Sequence, residues 1–458
     1  SPLDGRYRPK VQPLADYFSE FALHRYRVMV EIEVFTALLG VVHGDLNRFG
    51  PDAFAQLRKL YEEFDAVDAE EIKQIERKTN HDMKAVEYYL KDRIRQIPGL
   101  ASEVELIHFG LTSEDVSNLA YACMLRDATH DVMLPALLDV LQAVRDLAAR
   151  TKKVPMLSRT HGQSATPTTL GKEMAVFLHR LFPEISGLHR FQLTGKLNGA
   201  TGTFGALSVA YPDVDWIAFS ERIIRRLQLV PNLVTTQIEP HDRIAALSDH
   251  YRRINHILLD FDQDMWRYVS DGYFRQKPVA GEIGSSAMPH KVNPIDFENS
   301  EGNLGLANAL FGFFGEKLTK SRLQRDLSDS TVLRNLGVAF GHALLAYKSI
   351  VQGMRRLQPD EARMRQDLDA HPEVLAEAYQ TILRAKGHAM PYETLKELTR
   401  GQQVTLEALH DFVRGLDVDE ETRERLLGLT PAGYIGLAPE LTERALTDID
   451  ELLLHLRH

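Results

Sequence analysis

From Asp131 to Arg150 the chain reads DVMLPALLDVLQAVRDLAAR, and Met133, Leu137, Val140, Leu141, Val144 and Leu147 fall on one face of a 3.6-residue helix. The same period returns at Ile257, Phe261, Met265, Tyr268 and Val269. Long amphipathic helices dominate the sequence. Strand-like alternation is confined to short stretches, the best being Phe204 to Ala210 and Leu233 to Ile238, neither long enough for a large sheet. The expected class is all-α with a minor β element. Turn-rich punctuation near residue 110, and Gln358-Pro359-Asp360 ahead of a charged C-terminal region, predict helical domains over 1–110, 111–355 and 356–458.

The 458 residues hold 54 Lys plus Arg against 64 Asp plus Glu, a net charge of −10, and 44% of them are hydrophobic. That balance supports large buried cores without staples and argues against a non-specific nucleic-acid binder. Cys123 is the only cysteine, which excludes an internal disulfide and suits a reducing compartment. The longest uncharged run, Leu197 to Pro212, is interrupted by Gly199, Gly202 and Gly205 and is shorter than the roughly 20 apolar residues a bilayer demands. Ser1, Pro2, Asp4 and Arg6 open no apolar signal segment. A cytoplasmic location without membrane partner is expected.

No GxxxxGK followed by Ser or Thr occurs, and no GxGxxG follows a strand, so triphosphate and dinucleotide cradles lose their best support. HExxH, paired CxxC and EF-hand loops are absent, and no metal is implied.

Four segments rich in turn residues read as loops and stand out as candidate carriers of chemistry: KTNHD (78–82), GLTSED (110–115), SRTHGQSATPTT (158–169) and GEIGSSAMPHKVNP (281–294). In the last, Asn293 suits an N-cap, Pro294 the first helical position and Asp296 the first turn, so a helix is predicted to run on through Glu298. Two serines and Lys291 just ahead of a helix start favour a bound anion or developing negative charge. The same segment also reads as a surface loop closed by an ordinary cap. His161 beside Gly162 offers a group that titrates near neutrality, or simply one of 18 histidines with a structural role. Asn80-His81-Asp82 is equally open, with Asn80 as a cap for the helix that follows. Thr112 and Asp115 fit a capping box that needs no ligand, although the same geometry receives anions. Arg325 and Arg334 are nine apart and lie on opposite faces of an ideal helix. If both touch one ligand, the backbone between them must leave the helix; otherwise Asp326 and Asp329 can pair with them on a surface.

At GSSAMPHKVNP (284–294) and SRTHGQSATP (158–167) the chain resembles the fumarase/aspartase superfamily of fumarate-releasing lyases. SPLDGRY (1–7), KTNHDMKAVEYYL (78–90), TSEDVSNLAYACML (112–125), TTQIEPHDRIAALSD (235–249), MPHKVNPIDFENSEGNLG (288–305) and RDLSDSTVLRNLG (325–337) narrow the resemblance to its adenylosuccinate lyase family, in the longer bacterial form. The matches run from Ser1 to about Gly436.

The resemblance implies cleavage of adenylosuccinate to AMP and fumarate, and of succinylaminoimidazole carboxamide ribotide (SAICAR) to its carboxamide (AICAR) and fumarate. It also implies no metal or organic cofactor, and a homotetramer with a twenty-helix core whose active sites are shared between subunits. Ser285 matches the family's general base and His161 its general acid. Arg6, Tyr7, Arg325, Ser330, Thr331 and Arg334 match nucleotide-binding positions; Thr112, Ser113, Lys291 and Asn293 match positions around the succinyl carboxylates; Asn80, His81, Asp82, Gln237 and Asn299 match further substrate contacts. One departure is Ser164, where the family often has proline. The alternatives are a sister lyase such as argininosuccinate lyase, and a catalytically silent helical scaffold.

Overall fold

The computed structural model describes residues 1–277, 288, 291–388 and 404–457. They gather into two compact units, one from Ser1–Ala136, Gly187–His256 and Gly302–Ala346, the other from Leu137–Ser186, Ile257–Glu301 and Tyr347–His458. Helices carry nearly all of the structure. The run that opened the sequence analysis lies in helix Leu134–Thr151 and the π-helical turn Thr129–Met133 before it, and its six face residues are all buried.

In the first unit, helix Glu20–His43 starts where the Ser19 hydroxyl accepts the Ala22 N–H at 3.1 Å, a cap that contributes about 1 kcal/mol. The helix is buried on most of its circumference. Val28, Ile32, Phe35 and Leu39 pack with Leu57, Ile72, Val86, Leu90 and Leu100 in one core, and each such side chain stabilises by roughly 1.5–3 kcal/mol over exposure. A second packing centre forms around Tyr251, whose ring stacks on Phe311 at 5.3 Å and meets the edge of Phe340 at 4.9 Å. Its hydroxyl shares a 2.9 Å hydrogen bond with Thr129 in the π turn.

The β content is small, as expected, but it lies elsewhere than the alternation suggested. Gly205–Ala210 is a short helix entered from Phe204, which sits in the left-handed region at φ 56°. The stretch from Leu233 to Ile238 pairs with no strand. Instead the Asn198 side-chain amide donates to the Leu233 carbonyl at 3.2 Å and to Thr235 Oγ1 at 2.9 Å, substituting for a neighbouring strand. The first unit's described strands are the parallel pair Thr194–Gly195 and Val230–Pro231.

In the second unit, 158–169 is no loop. Pro155–Thr160 and Gln163–Thr169 form an antiparallel hairpin, with an irregularity between Leu157 and Arg159. Its base is anchored by Leu157, which packs against Leu368 and Val374. A separate core of Leu375, Tyr379, Leu383, Leu409, Val413 and Leu426 holds the C-terminal helices together. No helix among the described residues is long and apolar enough to cross a membrane.

Candidate active site

The first unit brings five of the named residues, His81, Asp82, Ser113, Arg325 and Ser330, to one cleft of about 140 Å³, lined also by Arg27 and Glu114. Helix Ala66–Thr79 ends at Asn80, a left-handed C-cap at φ 52° whose N–H donates to the Glu76 carbonyl at 2.7 Å. The cap of the next helix, Asp82–Ile94, is therefore His81 and not Asn80. His81 Nδ1 accepts the Lys84 N–H at 3.1 Å. With Nδ1 occupied as an acceptor, the ring proton of neutral His81 sits on Nε2, leaving that atom as a donor.

Asp82 follows at the first helical position, where the helix dipole favours an acid. Its Oδ2 takes Arg27 Nη1 at 2.8 Å and Arg334 Nη2 at 2.9 Å, and its Oδ1 accepts the Met83 N–H at 2.9 Å. Burial pushes the Asp82 carboxyl up, but the two guanidinium groups outweigh it and hold the group well below the usual carboxylate range. Arg27, itself buried, also donates to Ser117 Oγ at 3.2 Å.

Helix Ser113–Ala128 opens with the expected capping box, the Thr112 N–H donating to Asp115 at 2.9 Å. Asp115 is fully buried and pairs with buried Lys196 at 2.7 Å while accepting the Asn198 N–H at 3.0 Å. The start of this helix is thus fixed by its own side chains, leaving Ser113 on the cleft wall. Glu114, next in line, is buried, and burial raises its carboxyl to about 7 against the pull of His241 and Arg325. The backbone does leave the helix between the two arginines: only Ser328–Leu333 is helical, Arg325 precedes it and Arg334 is its C-cap. Both arginines meet carboxylates, Arg325 at Glu114 and Asp329 and Arg334 at Asp82. Asp326 instead caps Ser328, at 2.8 Å from its N–H, and pairs with Arg322 at 3.5 Å.

Other named residues stand apart from the lining. Arg6 is exposed with its guanidinium 5.7 Å from the Tyr7 ring centre, and Thr331 is exposed. Gln237 donates to the Ala200 carbonyl at 3.1 Å. That loop passes so close at Gly202 that a Cβ there would lie 2.2 Å from the Thr235 carbonyl oxygen.

In the second unit, His161 and Gly162 are the two central residues of the hairpin turn, at φ 53° and 76°. Both angles are positive, as a two-residue type I′ turn requires, and histidine tolerates that region better than most residues with a side chain. The imidazole is exposed at the tip. The arms are tied down: Arg159 pairs with Asp367 at 3.0 Å, and Ser164, the departure from the family pattern, pairs with Arg159 in the hairpin and places its hydroxyl 3.5 Å from His371 Nδ1.

Ser285 lies outside the described residues. Lys291 is exposed. The predicted helix is Ile295–Leu318, with Asp296 and Glu298 in its first turn; the Pro294 carbonyl accepts the Phe297 N–H at 3.1 Å, so Pro294, rather than Asn293, directly precedes the first turn. Asn299 on this helix accepts from Ser349 Oγ at 2.9 Å.

Sequence reading missed Arg27, Ser117, Glu114 and His241. Glu114, Ser117 and His241 lie inside segments that carry the family resemblance, whereas Arg27 belongs to no motif.

A family model described as lyase matches residues 5–309, and one described as adenylosuccinate lyase C-terminal matches residues 321–435. The fold is shared with a solved fumarate lyase from Mesorhizobium sp. BNC1, with a TM-score of 0.75 at 18% identity over 95% of this chain and 97% of that one. Fold and match together define a lyase of the fumarase/aspartase superfamily. Two relatives named adenylosuccinate lyase are much nearer in sequence. The one from Escherichia coli (strain K12) is 49% identical over 99% of this chain and 98% of its own, and the one from Legionella pneumophila (strain Corby) is 50% identical over 97% of each. The chain belongs to the adenylosuccinate lyase family.

Proposed function

We propose that this protein is a carbon–nitrogen lyase of purine biosynthesis that releases fumarate from adenylosuccinate, leaving AMP, and from SAICAR, leaving AICAR. The observation that carries the reading is the near-half identity to adenylosuccinate lyases along almost the whole chain.

The chemistry asks for three things. A base removes a proton from the succinyl carbon beside a carboxylate, donors hold the resulting negative charge, and an acid protonates the nitrogen as the carbon–nitrogen bond breaks. Ser285 is the proposed base, with Lys291 and the start of helix Ile295–Leu318 supplying the positive field that a serine alkoxide needs. His161 is the proposed acid, carried on a turn whose backbone geometry is closely specified. Arg6, Tyr7, Arg325, Ser330, Thr331 and Arg334 are proposed to hold the nucleotide, Arg325 and Arg334 through guanidinium donors suited to phosphate oxygens. Thr112, Ser113, Lys291 and Asn293 are assigned to the succinyl carboxylates, and Asn80, His81, Asp82, Gln237 and Asn299 to further substrate contacts. Among these, His81 is suited to donate through Nε2. The family's cytoplasmic homotetramer with shared active sites, and its helical domains over 1–110, 111–355 and 356–458, are proposed for this chain on the same resemblance.

Fumarate release by the purified protein, followed in parallel with adenylosuccinate and with argininosuccinate, tests the reading. Equal amounts of fumarate and AMP from the first substrate alone are expected. Release from argininosuccinate alone would move the chain to the sister activity, and release from neither by folded protein would leave the scaffold.

A further inference from the structure

Beneath the cleft lies a buried polar cluster that the elimination does not use directly. Glu114 is the second residue of helix Ser113–Ala128, His241 directly precedes helix Asp242–Ser270, and Asp329 lies on helix Ser328–Leu333. All three are buried, and their polar atoms lie within 4.8 Å of one another. Each leaves one atom without a hydrogen-bond partner among the described residues: Glu114 Oε1, His241 Nε2 and Asp329 Oδ2. Arg325 enters from above, its Nη2 3.4 Å from Glu114 Oε2 and 3.7 Å from Asp329 Oδ1. Its Nε is buried and also unpartnered.

His241 sits at φ 60°, in the left-handed region that histidine enters more readily than most residues with a side chain but that still needs local support. Glu239 keeps it there by accepting the His241 N–H at 2.7 Å, and the other Glu239 oxygen is pinned by Thr194 Oγ1 and Asn232 Nδ2, each at 2.9 Å. The ring then faces Asp329, with Nε2 3.9 Å from Oδ2. Four orphaned buried atoms are unfavourable for stability alone, and such groups call for a functional explanation.

The ligand types also suit a metal, but Arg325 already fills the place of a cation between the Glu114 and Asp329 carboxylates.

We propose that Glu114, backed by Asp329 and His241, is a positioning residue that clamps the Arg325 guanidinium at the cleft edge so that its free donors receive the substrate's phosphate. This rests on the reading above, in which Arg325 meets that phosphate. Calorimetric affinities for AMP and for adenosine, measured on the full-length protein, isolate the phosphate contribution without requiring turnover. In Glu114→Ala the preference for AMP over adenosine should fall about tenfold, equivalent to about 1.4 kcal/mol, with KM for adenylosuccinate rising in step and kcat changing little. Glu114→Gln, which keeps an acceptor of the same shape, should recover most of the loss. In an Arg325→Ala background, Glu114→Ala should add nothing further. An unchanged AMP preference in folded Glu114→Ala, or losses that simply add in the double variant, would overturn the proposal. Wild-type protein that prefers AMP yet releases no fumarate from adenylosuccinate would defeat the functional reading and leave the clamp standing.

Discussion

The Asp82 cleft and the His161 hairpin achieve order in opposite ways. In the cleft the side chains are fixed: Asp82 is bridged to Arg27 and Arg334, Arg325 is held by Glu114 and Asp329, and His81 is committed through Nδ1. At the hairpin the backbone is fixed by two positive-φ residues, and the imidazole is left exposed with no hydrogen-bond partner among the described residues. The contrast follows the two tasks proposed for them. Holding an anion rewards preorganised donors whose entropy is already spent, whereas delivering a proton needs a ring that can reach the departing atom.

Four experiments press on that contrast. His161→Ala should lower fumarate release by roughly 10²–10⁴-fold while circular dichroism and melting temperature stay close to wild type, since the ring is exposed. Near-normal turnover would remove the hairpin from the chemistry. Asp82→Ala should differ in costing stability as well as turnover. It leaves buried Arg27 without its carboxylate and should reduce stability by about 3 kcal/mol, read as a lower denaturant midpoint.

Acidity separates two carboxyls within the cleft itself. Asp82 is held below its ordinary value, so the stability it contributes is present at neutral pH and is lost as pH falls through the carboxylate range. Glu114 is raised from 4.5 to about 7, so its contribution is full below 4.5 and is lost as pH rises through 7. Glu114→Gln should therefore gain on wild type as pH rises from 5 to 8, by up to about 3 kcal/mol, in melts run across that range. A constant difference would mean that the carboxyl is not raised. The smallest effect is expected from Gly162→Ala. A Cβ there meets nothing within 4 Å, so the change reports only the positive φ, about 1 kcal/mol, and should perturb turnover more than stability.

The fold was legible wherever one face of a helix carried the apolar residues, as from Met133 to Leu147, because burial alone selects that period. Alternation misled at Phe204–Ala210 and Leu233–Ile238, where the partner that satisfies the backbone is a distant amide, Asn198, or a helix only two turns long. The 158–169 hairpin was hidden by its own composition. Serine, threonine and proline read as loop, and the telling feature was His161-Gly162 as an I′ turn. Caps were half legible: the Thr112 box held, while the helix break at Asn80 and His81 depended on φ values that spacing cannot reveal. Of the Glu114, His241 and Asp329 cluster only the pairing of Asp329 with Arg325 was legible, since only folding brings such distant positions within 4.8 Å.

That distance along the chain has a consequence in time. The core around Val28, Phe35 and Leu90 is complete once residue 107 has been made, yet Asp329 follows Glu114 by about 200 residues. At a ribosomal pace of about 5–20 residues per second, a nascent chain spends roughly 10–40 s with the Glu114 side of the cleft made and the side carrying Arg325, Ser330 and Leu333 still unmade. During that interval Glu114 lacks its ion-pair partner Arg325. The cleft therefore closes last, on a platform that folded early, and chains truncated before residue 325 should accumulate with a native amino-terminal core and an open, unclamped cleft.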